Sequence, residues 1–219
     1  MKKIKVTNEA LVSRQQKART LNISKILEAA AQEFKQYGFN GASISRIAET
    51  AKLPRTNIHY YFENKLALYG AVLTHITDLW NNAFSDIKST DDPSETIANY
   101  IDAKIEYSRI NPTASIIFAS EILHGAPHLS EYLNTDFKLW IADKAKVIES
   151  WQLQGKIDVI SPYHLLFTIW GATQYYANSA VEIEAAFNRE LSYDDFEQAK
   201  KTIKHIILKG CGMTYKGYV

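Results

Sequence analysis

The stretch YGFNGASISRIAETAKLPRTNIHYYFENK, residues 37–65, contains two short apolar patterns of helical period on either side of Lys52-Leu53-Pro54. Proline lacks an amide donor and disfavours helix in the residue before it, so it interrupts the pattern there. The stretch therefore predicts two short helices joined by a tight turn. Their inward positions recur at three- and four-residue spacing: Ile44, Ile47, Ala48 and Ala51, then Ile58, Tyr61 and Phe62.

The second short helix is crowded with hydrogen-bonding side chains on its other positions, which are Arg55, Thr56, Asn57, His59 and Tyr60. In a DNA major groove, Arg pairs with guanine, Asn pairs with the adenine edge, and Thr meets a thymine methyl or a phosphate. His and Tyr contact bases or phosphates. A helix this short does not need so many polar groups for its own stability, so we predict that these five side chains contact DNA. The alternative is that both tyrosines are core, Asn57 is a local cap and Arg55 only solubilises.

Three further side chains are placed to hold the DNA backbone. Ser43 is the predicted N-cap of the first short helix, Arg46 lies on its exposed face, and Lys65 begins the helix that follows. Helix N-termini and basic side chains bind phosphate and set register without reading sequence. Two short helices arranged in this way are typical of a helix-turn-helix DNA reader.

The charge distribution supports a polyanion-binding first third. The 219 residues carry a net charge of +1, but residues 1–65 hold twelve Lys or Arg against five Asp or Glu, a net +7, which leaves −6 for the remainder. Six of the twelve precede residue 20, so a lysine-rich tail explains part of the excess. A basic head on an acidic body indicates nucleic-acid binding by the head.

The rest of the chain also has helical periodicity, with no convincing alternating strand. A first helix ends near Gly38, a long helix starts at Asn64, and polar punctuation such as Asp92-Pro93, Ser161-Pro162 and Ser192-x-x-Asp195 separates further helices. We predict an all-α chain of about nine helices. Its predicted parts are a flexible basic arm at 1–19, a helix-turn-helix domain at 20–66 and a C-terminal ligand-binding and dimerisation domain at 67–219.

Composition excludes several other classes of protein. The 46% apolar content is globular, the single cysteine, Cys211, cannot form an internal disulfide, and no apolar run is long enough to span a membrane. These features predict a cytoplasmic protein without membrane contact. His124 and His128 have four-residue spacing, but Gly125 and Pro127 break the helix that would align them, so no metal is expected. No cofactor or catalytic motif is present, which disfavours a helical enzyme with a basic tail.

Residues 37–73, which contain the opening stretch, closely resemble the DNA-binding region of the TetR superfamily of bacterial repressors. The shared features are a glycine-aromatic pair after helix one, an Ile-Ala pair in helix two, an aromatic-rich end to helix three, then a lysine and a long fourth helix. The resemblance implies a homodimer that binds a palindromic operator in double-stranded DNA and releases it when a small-molecule effector enters the C-terminal domain. The chain departs from the usual family residues at Lys52, Pro54 and His59.

The resemblance extends from about residue 20 to about residue 210 and is strongest with the family's pyrimidine-utilisation regulators. The segments that carry it include FASEILHGAPHL, LWIADKAKVIESW and IWGATQYYANSAVEIEA. It implies uracil or thymine as effector and dimerisation through the last two helices, residues 162–185 and 195–210. A drug or another hydrophobic compound is the alternative effector.

A pyrimidine needs aromatic or aliphatic walls and an amide that both donates and accepts. Trp170 and Gln174 lie one turn apart and meet that need. Trp80, Phe118 and Ile122 are candidate walls, and Glu121 is a candidate polar group. For the isolated aromatic residues, ordinary core packing is the alternative.

Overall fold

The computed structural model describes the backbone of residues 2–82 and 84–213 and the side chains of residues 16–82 and 84–213. Within these ranges the chain forms eleven helices and no strand, which confirms the all-α prediction. The chain divides into two compact units, Met1–His75 and Ile76–Val219, so the division falls later than the predicted boundary at 66/67.

The first unit is built from three helices and the beginning of a fourth: α1 (Lys2–Gly41), α2 (Ile44–Ala51), α3 (Arg55–Tyr61) and α4 (Lys65–Asn82). Apolar side chains from all four helices form its core, so the short α2 and α3 depend on tertiary packing rather than on their own length. The fully or almost fully buried members include Ile26, Phe34, Ile47, Ile58 and Leu68.

Helix α1 differs from the prediction at its start and agrees with it near its end. The backbone is helical from Lys2, where a flexible arm was predicted, because residues 2–20 contain no glycine or proline to interrupt a helix; the side chains of residues 1–15 lie outside the described residues. Gly38 has φ 65°, a backbone conformation that favours glycine, so regular helix stops there as predicted. The helical spacing of Phe34 and Tyr37 predicts that Tyr37 faces inward, but its side chain is 45% exposed.

The second unit contains the end of α4 and seven further helices: α5 (Pro93–Ile110), α6 (Pro112–Leu123), α7 (Ser130–Asn134), α8 (Asp136–Leu153), α9 (Pro162–Asn178), α10 (Ala180–Phe187) and α11 (Tyr193–Gly210). Helix α5 packs against both α9 and α11. Its buried residues Ile97, Ile101 and Ile105 share one core cluster with Trp151 and Leu166. This core fixes the helices that surround the cavity described below.

Three of the predicted helix starts are confirmed in detail. The Asp92 carboxylate accepts the amides of Ser94 and Glu95 at the start of α5, and Ser161 caps α9. Ser192 and Asp195 form a capping box at the start of α11. These caps satisfy amides that would otherwise lack a partner in the first helical turn.

Two predicted helices are each broken in the structure, which gives eleven helices where about nine were expected. The periodicity over 130–154 predicts one helix, but the backbone breaks at Thr135, with φ −115° and ψ −90°, and separates into α7 and α8. The predicted helix that starts at 162 breaks at Ser179, with φ −118° and ψ 27°. The Thr135 hydroxyl donates to the Glu131 carbonyl, a local bond that competes with regular helix.

No helix in the described ranges is both long enough and apolar enough to span a membrane.

Candidate functional site

The turn between α2 and α3 is closed by backbone hydrogen bonds. Lys52 adopts the left-handed conformation with φ 55° and ψ 42°, and the Leu53 amide donates to the Ala48 carbonyl at 3.1 Å. This is the 6→1 bond of a Schellman motif, which is usually built around glycine. Pro54 is the N-cap of α3 rather than its first helical residue. Glycine would adopt this conformation at position 52 without the strain that a lysine carries there.

Helix α3 has one buried and one exposed face. Ile58 is 1% exposed and anchors the helix, while Tyr61 and Phe62 are half-buried beside it. The Tyr61 hydroxyl accepts a long bond of 3.5 Å from the Asn22 amide of α1. Tyr60 is 79% exposed and packs edge-on against Tyr61, with ring centroids 5.0 Å apart.

The polar side chains predicted to contact DNA are available to a partner. Arg55, Thr56, His59 and Tyr60 are exposed, and Asn57 is half-buried. The Asn57 amide N–H donates to the Pro54 carbonyl at 2.9 Å, which closes the first turn of α3 with a backbone bond. The side chain of Asn57 is not used for that closure. The α3 surface thus presents donors of the types that read base edges.

Arg46, predicted to hold the DNA backbone, is engaged inside the first unit. Its Nε donates to Glu33 Oε1 at 2.7 Å, one NH₂ group donates to the Gly41 carbonyl at 2.7 Å, and its guanidinium lies 4.4 Å from the Tyr37 ring centroid. Hydrogen bonding to the Glu33 carboxylate raises the pKa of Arg46. The guanidinium therefore joins α1 to α2.

Lys65, also predicted to hold phosphate, is similarly occupied. Its Nζ donates to the carbonyls of Asn40 and Ala42 at 3.1 Å each and lies 4.9 Å from the Phe39 ring centroid. The ammonium has three donors, so two of them go to the turn between α1 and α2. Lys65 thereby ties the start of α4 to that turn.

Glu33 is a functional neighbour that the sequence analysis missed. Its buried carboxylate accepts the Ser43 amide at 2.9 Å, while the Ser43 side chain makes no cap bond of its own. A carboxylate at a helix N-terminus is stabilised by the helix dipole. The available signal was its spacing, because Glu33 falls three residues after Ala30 on the otherwise apolar face of α1.

The second unit contains a cavity of about 330 Å³, at the lower end of the range for small-molecule sites. Helices α4 to α9 all contribute to its wall. Trp80 and Phe118 meet edge-on with centroids 4.8 Å apart, and Trp170 lies 6.2 Å from Trp140. The remaining lining residues are Thr77, Asn81, Tyr100, Lys104, Ile122, Tyr132, Leu133, Phe137, Phe167 and Gln174. The wall is therefore mainly aromatic with a few polar groups.

Hydrogen bonds fix two pairs of polar groups in the wall. Trp170 Nε1 donates to the Tyr100 hydroxyl at 2.7 Å, and Asn81 Nδ2 donates to the Tyr132 hydroxyl at 3.0 Å. Burial raises the pKa of Tyr100, so its hydroxyl stays protonated. Because that oxygen accepts from Trp170, its own hydrogen remains to be donated, and no acceptor for it is present among the described residues.

Lys104 is the second functional residue that the sequence analysis missed. Its side chain lines the cavity, the residue is 3% exposed, and its Nζ lies 4.3 Å from the Trp80 ring centroid. Burial lowers the pKa of Lys104 to about 7. Within the described part of the chain, the ammonium has no carboxylate or carbonyl partner. From sequence alone, a lysine within a helix is expected to be exposed to solvent. Only the spacing of Lys104 from Ile101 and Ile105 indicated that it is buried.

Five of the six residues predicted for the effector site line this cavity: Trp80, Phe118, Ile122, Trp170 and Gln174. Glu121 does not line it. Its carboxylate accepts the His128 amide at 2.6 Å and lies 3.2 Å from His128 Nδ1, so it holds the turn after α6. Glu121 immediately precedes Ile122, and adjacent positions on a helix do not share a face, so the two side chains point to different surroundings.

The two histidines considered as metal ligands have separate local roles. His124 Nδ1 lies 2.7 Å from the Ser120 carbonyl oxygen, while His128 pairs with Glu121. Cys211 is buried, and burial raises the pKa of its thiol to about 11, which makes it a poor nucleophile.

Both units match known protein families. Residues 26–72 match the family described as bacterial regulatory proteins, tetR family, and residues 73–214 match the YcdC-like protein, C-terminal region. Together the two matches cover almost all of the described residues.

Curated relatives match over different shares of the chain. The chain is 38% identical over 208 residues to the HTH-type transcriptional regulator RutR of Escherichia coli strain K12, covering 94% of this chain and 98% of that protein. It is 32% identical over 129 residues to the HTH-type transcriptional repressor NicS of Pseudomonas putida, covering 58% of this chain and 60% of that protein.

Solved structures share the fold at low sequence identity. The putative transcriptional regulator SCO4942 of Streptomyces coelicolor has a TM-score of 0.69 at 22% identity, over 87% of this chain and 98% of that one. AibR in complex with isovaleryl coenzyme A and operator DNA has a TM-score of 0.63 at 18% identity, over 84% and 97% of the two chains.

Proposed function

The chain belongs to the TetR family as a ligand-responsive transcriptional repressor, and we propose that its effector is a pyrimidine base, uracil or thymine. The observation that carries this proposal is the cavity of the second unit. It combines aromatic walls with a Gln174 amide that has no hydrogen-bond partner among the described residues. The resemblance to pyrimidine-utilisation regulators of the family supports the same effector.

The chemistry of the cavity suits a planar heterocycle. Flat rings pack against aromatic faces, and Trp170, Phe118 and Trp80 supply those faces. A uracil ring presents alternating carbonyl acceptors and N–H donors along one edge, which an amide matches with one donor and one acceptor. In our proposal Gln174 pairs with that edge, while the Tyr100 hydroxyl donates to a ring carbonyl.

For DNA recognition we propose that α3 lies in the major groove. Arg55, Asn57 and Tyr60 supply the base and phosphate contacts, with Thr56 and His59 beside them. The side chains of Arg46 and Lys65 already bind groups within the first unit. In our proposal these two residues and Ser43 therefore contribute to phosphate binding mainly by positioning nearby backbone amides, which contact the phosphate. A twofold dimer would place two such helices roughly 34 Å apart, one turn of DNA.

We further propose that two copies associate through α9, α10 and α11. These helices carry several large apolar side chains on the surface of the single chain, which is typical of an interface that a second copy covers. The exposed members include Phe167, Tyr175, Val181, Phe187, Tyr193 and Ile206.

The deciding experiment is a titration of the DNA upstream of the chain's own gene with purified protein, with and without uracil or thymine. We expect binding in the absence of effector and a loss of affinity of at least about tenfold at saturating pyrimidine. The variant Trp170→Ala with Gln174→Ala should bind the same DNA and no longer respond. Retained DNA affinity of the unmodified chain at saturating uracil and thymine would rule out the pyrimidine proposal.

A hydrophobic effector is the second candidate, favoured by the predominance of aromatic residues in the cavity wall. The two candidates separate in a thermal-shift comparison of uracil and thymine with lipophilic compounds of similar size. Stabilisation by the pyrimidines alone supports the first proposal, and stabilisation by the lipophilic compounds alone supports the second.

A further inference from the structure

We propose that the effector is bound as an anion whose negatively charged oxygen pairs with the Lys104 ammonium inside the cavity of the second unit. This inference rests on the proposed function, because it takes the cavity as the effector site. It adds a requirement on charge that neither a neutral pyrimidine nor a lipophilic compound meets.

Lys104 has no charged partner among the described residues. A buried lysine normally pairs with a carboxylate, since the desolvation cost of an unpaired charge is large. Carboxylates on the neighbouring turns of α5 are already engaged. Asp102 accepts Lys204 at 2.8 Å, and Glu106 forms an ion pair with Arg109. Within the described residues, Lys104 has only the face of Trp80, at 4.3 Å.

The rest of the cavity wall carries no acidic group. No Asp, Glu or His lines the cavity, and its other titratable groups are Tyr100 from α5 and Tyr132 from α7. The contributions of α4, α6, α8 and α9 are aromatic, aliphatic, amide or hydroxyl side chains. Tyr100 adds a second donor, because its oxygen accepts from Trp170 and its hydrogen is unused. Trp140 Nε1 in the same wall is a buried donor that also lacks a partner among the described residues. Three donors without acceptors therefore face a space that contains no negative charge.

Two sources supply such an anion. The effector can carry a carboxylate substituent on the ring. Alternatively, a ring imide transfers its proton to neutral Lys104: the ring N–H bond breaks, a new N–H bond forms on Nζ, and the negative charge spreads over the ring oxygens. Both sources end with an ammonium beside an anionic oxygen, which is a charge-assisted hydrogen bond.

The carboxylate source is tested with matched pairs of probes on the unmodified chain. Uracil-6-carboxylate is compared with uracil-6-carboxamide, and benzoate with benzamide, by calorimetry at pH 7. Each pair has nearly the same shape and differs in charge. We expect the anion of the pyrimidine pair to bind on the order of tenfold to hundredfold tighter.

The proton-transfer source is tested with uracil itself. Ionisation of the ring shifts its ultraviolet absorption to longer wavelength, so a difference spectrum of bound against free uracil reports the charge. A red shift on binding to the unmodified chain, absent with Lys104→Met, supports this source. Equal affinities within the uracil carboxylate and carboxamide pair, together with an unshifted spectrum of bound uracil, would overturn the proposal.

The variants Lys104→Met and Lys104→Gln provide the matched controls, one apolar and one polar without charge. Either should bind the carboxamide and lose the preference for the carboxylate; a preference that survives in a folded variant argues against Lys104 as the partner. Benzoate and benzamide distinguish the anion site from the pyrimidine effector. If the carboxylate binds more tightly than the carboxamide in both pairs, and the uracil compounds bind no more tightly than the benzene compounds, the anion site is supported and the pyrimidine effector is contradicted.

Discussion

Arg46 of α2 and Glu33 of α1 form an ion pair in which Nε lies 2.7 Å from Oε1. The same oxygen accepts the Ser43 amide, so one buried carboxylate holds both a guanidinium and the N-terminus of α2. We predict that Glu33→Ala lowers the free energy of unfolding of the first unit by about 1–3 kcal/mol, because it leaves that amide unpaired. Urea denaturation measures the change.

The matched control for Glu33 is Glu49→Ala. Glu49 lies on the exposed side of α2 and makes no side-chain hydrogen bond among the described contacts. Its removal should change the midpoint little. An equal loss in both variants would mean that Glu33 acts as a general negative charge and not as the cap of α2.

Lys52 gives a prediction of opposite sign. A left-handed conformation destabilises the folded state by about 1–2 kcal/mol for an ordinary residue, and glycine avoids most of that cost. Glycine also lowers stability by about 0.5–1 kcal/mol, because it has more conformational entropy in the unfolded chain. Lys52→Gly should therefore stabilise the protein slightly, raising its melting temperature, whereas Lys52→Ala keeps the strain and should not. A fall in melting temperature with glycine would show that the lysine side chain compensates for its conformation.

Local signals in the sequence were sufficient for the helix starts and insufficient for the helix breaks. Asp92-Pro93 and Ser161-Pro162 cap helices through contacts within four residues, so spacing alone reveals them. Thr135 and Ser179 break helices without glycine or proline. The bond from the Thr135 hydroxyl to the Glu131 carbonyl does not mark a break by itself, because Thr168 makes the same bond to the His164 carbonyl inside α9, which continues.

The same distinction applies to the candidate sites. The aromatic wall around Trp170 followed from resemblance and helical spacing, and the exposed face of α3 followed from its polar crowding. Arg46 and Lys65 were harder to predict. Arg46 bonds to the Glu33 carboxylate of another helix, and Lys65 bonds to backbone carbonyls 23 and 25 positions earlier in the chain. Lys104 was missed because a lysine's burial depends on neighbours from other helices.

Alanine variants of Lys65 and Arg55 should have different effects, one mainly on folding stability and the other mainly on DNA affinity. Lys65→Ala removes two charge-assisted bonds to the Asn40 and Ala42 carbonyls, so it should cost about 1–2 kcal/mol of stability. Arg55→Ala should leave the melting temperature unchanged and weaken DNA binding. If Arg55 contacts phosphate, the slope of log affinity against log salt falls by about 1. Filter binding across salt concentrations provides the measurement.

Lys201→Ala is the charge-matched control for Arg55. Lys201 is exposed on α11 in the second unit, so its loss changes net charge by the same amount. Its salt slope should match that of the unmodified chain. A similar loss of affinity in both variants would assign the effect of Arg55 to overall charge and not to contact by α3.

The hydrogen-bonded pair of Tyr100 and Trp170 predicts coupling in a double-mutant cycle. Tyr100→Phe removes the acceptor and leaves the half-buried Trp170 without a partner for Nε1, at a cost of about 1–3 kcal/mol. Trp170→Phe removes the donor as well as ring area. The double variant should lose less stability than the sum of the two single variants, as measured by urea denaturation. Additive losses would mean that the 2.7 Å bond contributes nothing net.

Lys104 predicts a stability that depends on pH in the absence of effector. Its folded pKa of about 7 lies below the value of about 10.4 for an unfolded lysine, so between these values the unfolded chain binds the extra proton. Stability therefore rises with pH across that window. Lys104→Met should stabilise the protein most at pH 7 and below, by a few kcal/mol, and progressively less toward pH 10.

Urea denaturation of both proteins from pH 6 to pH 9.5 isolates the contribution of Lys104, because other titrating groups cancel in the difference. A difference that stays constant across this range would mean that Lys104 is solvated or already paired in the folded protein, and it would then not be the desolvated, partnerless group from which the anion site is inferred.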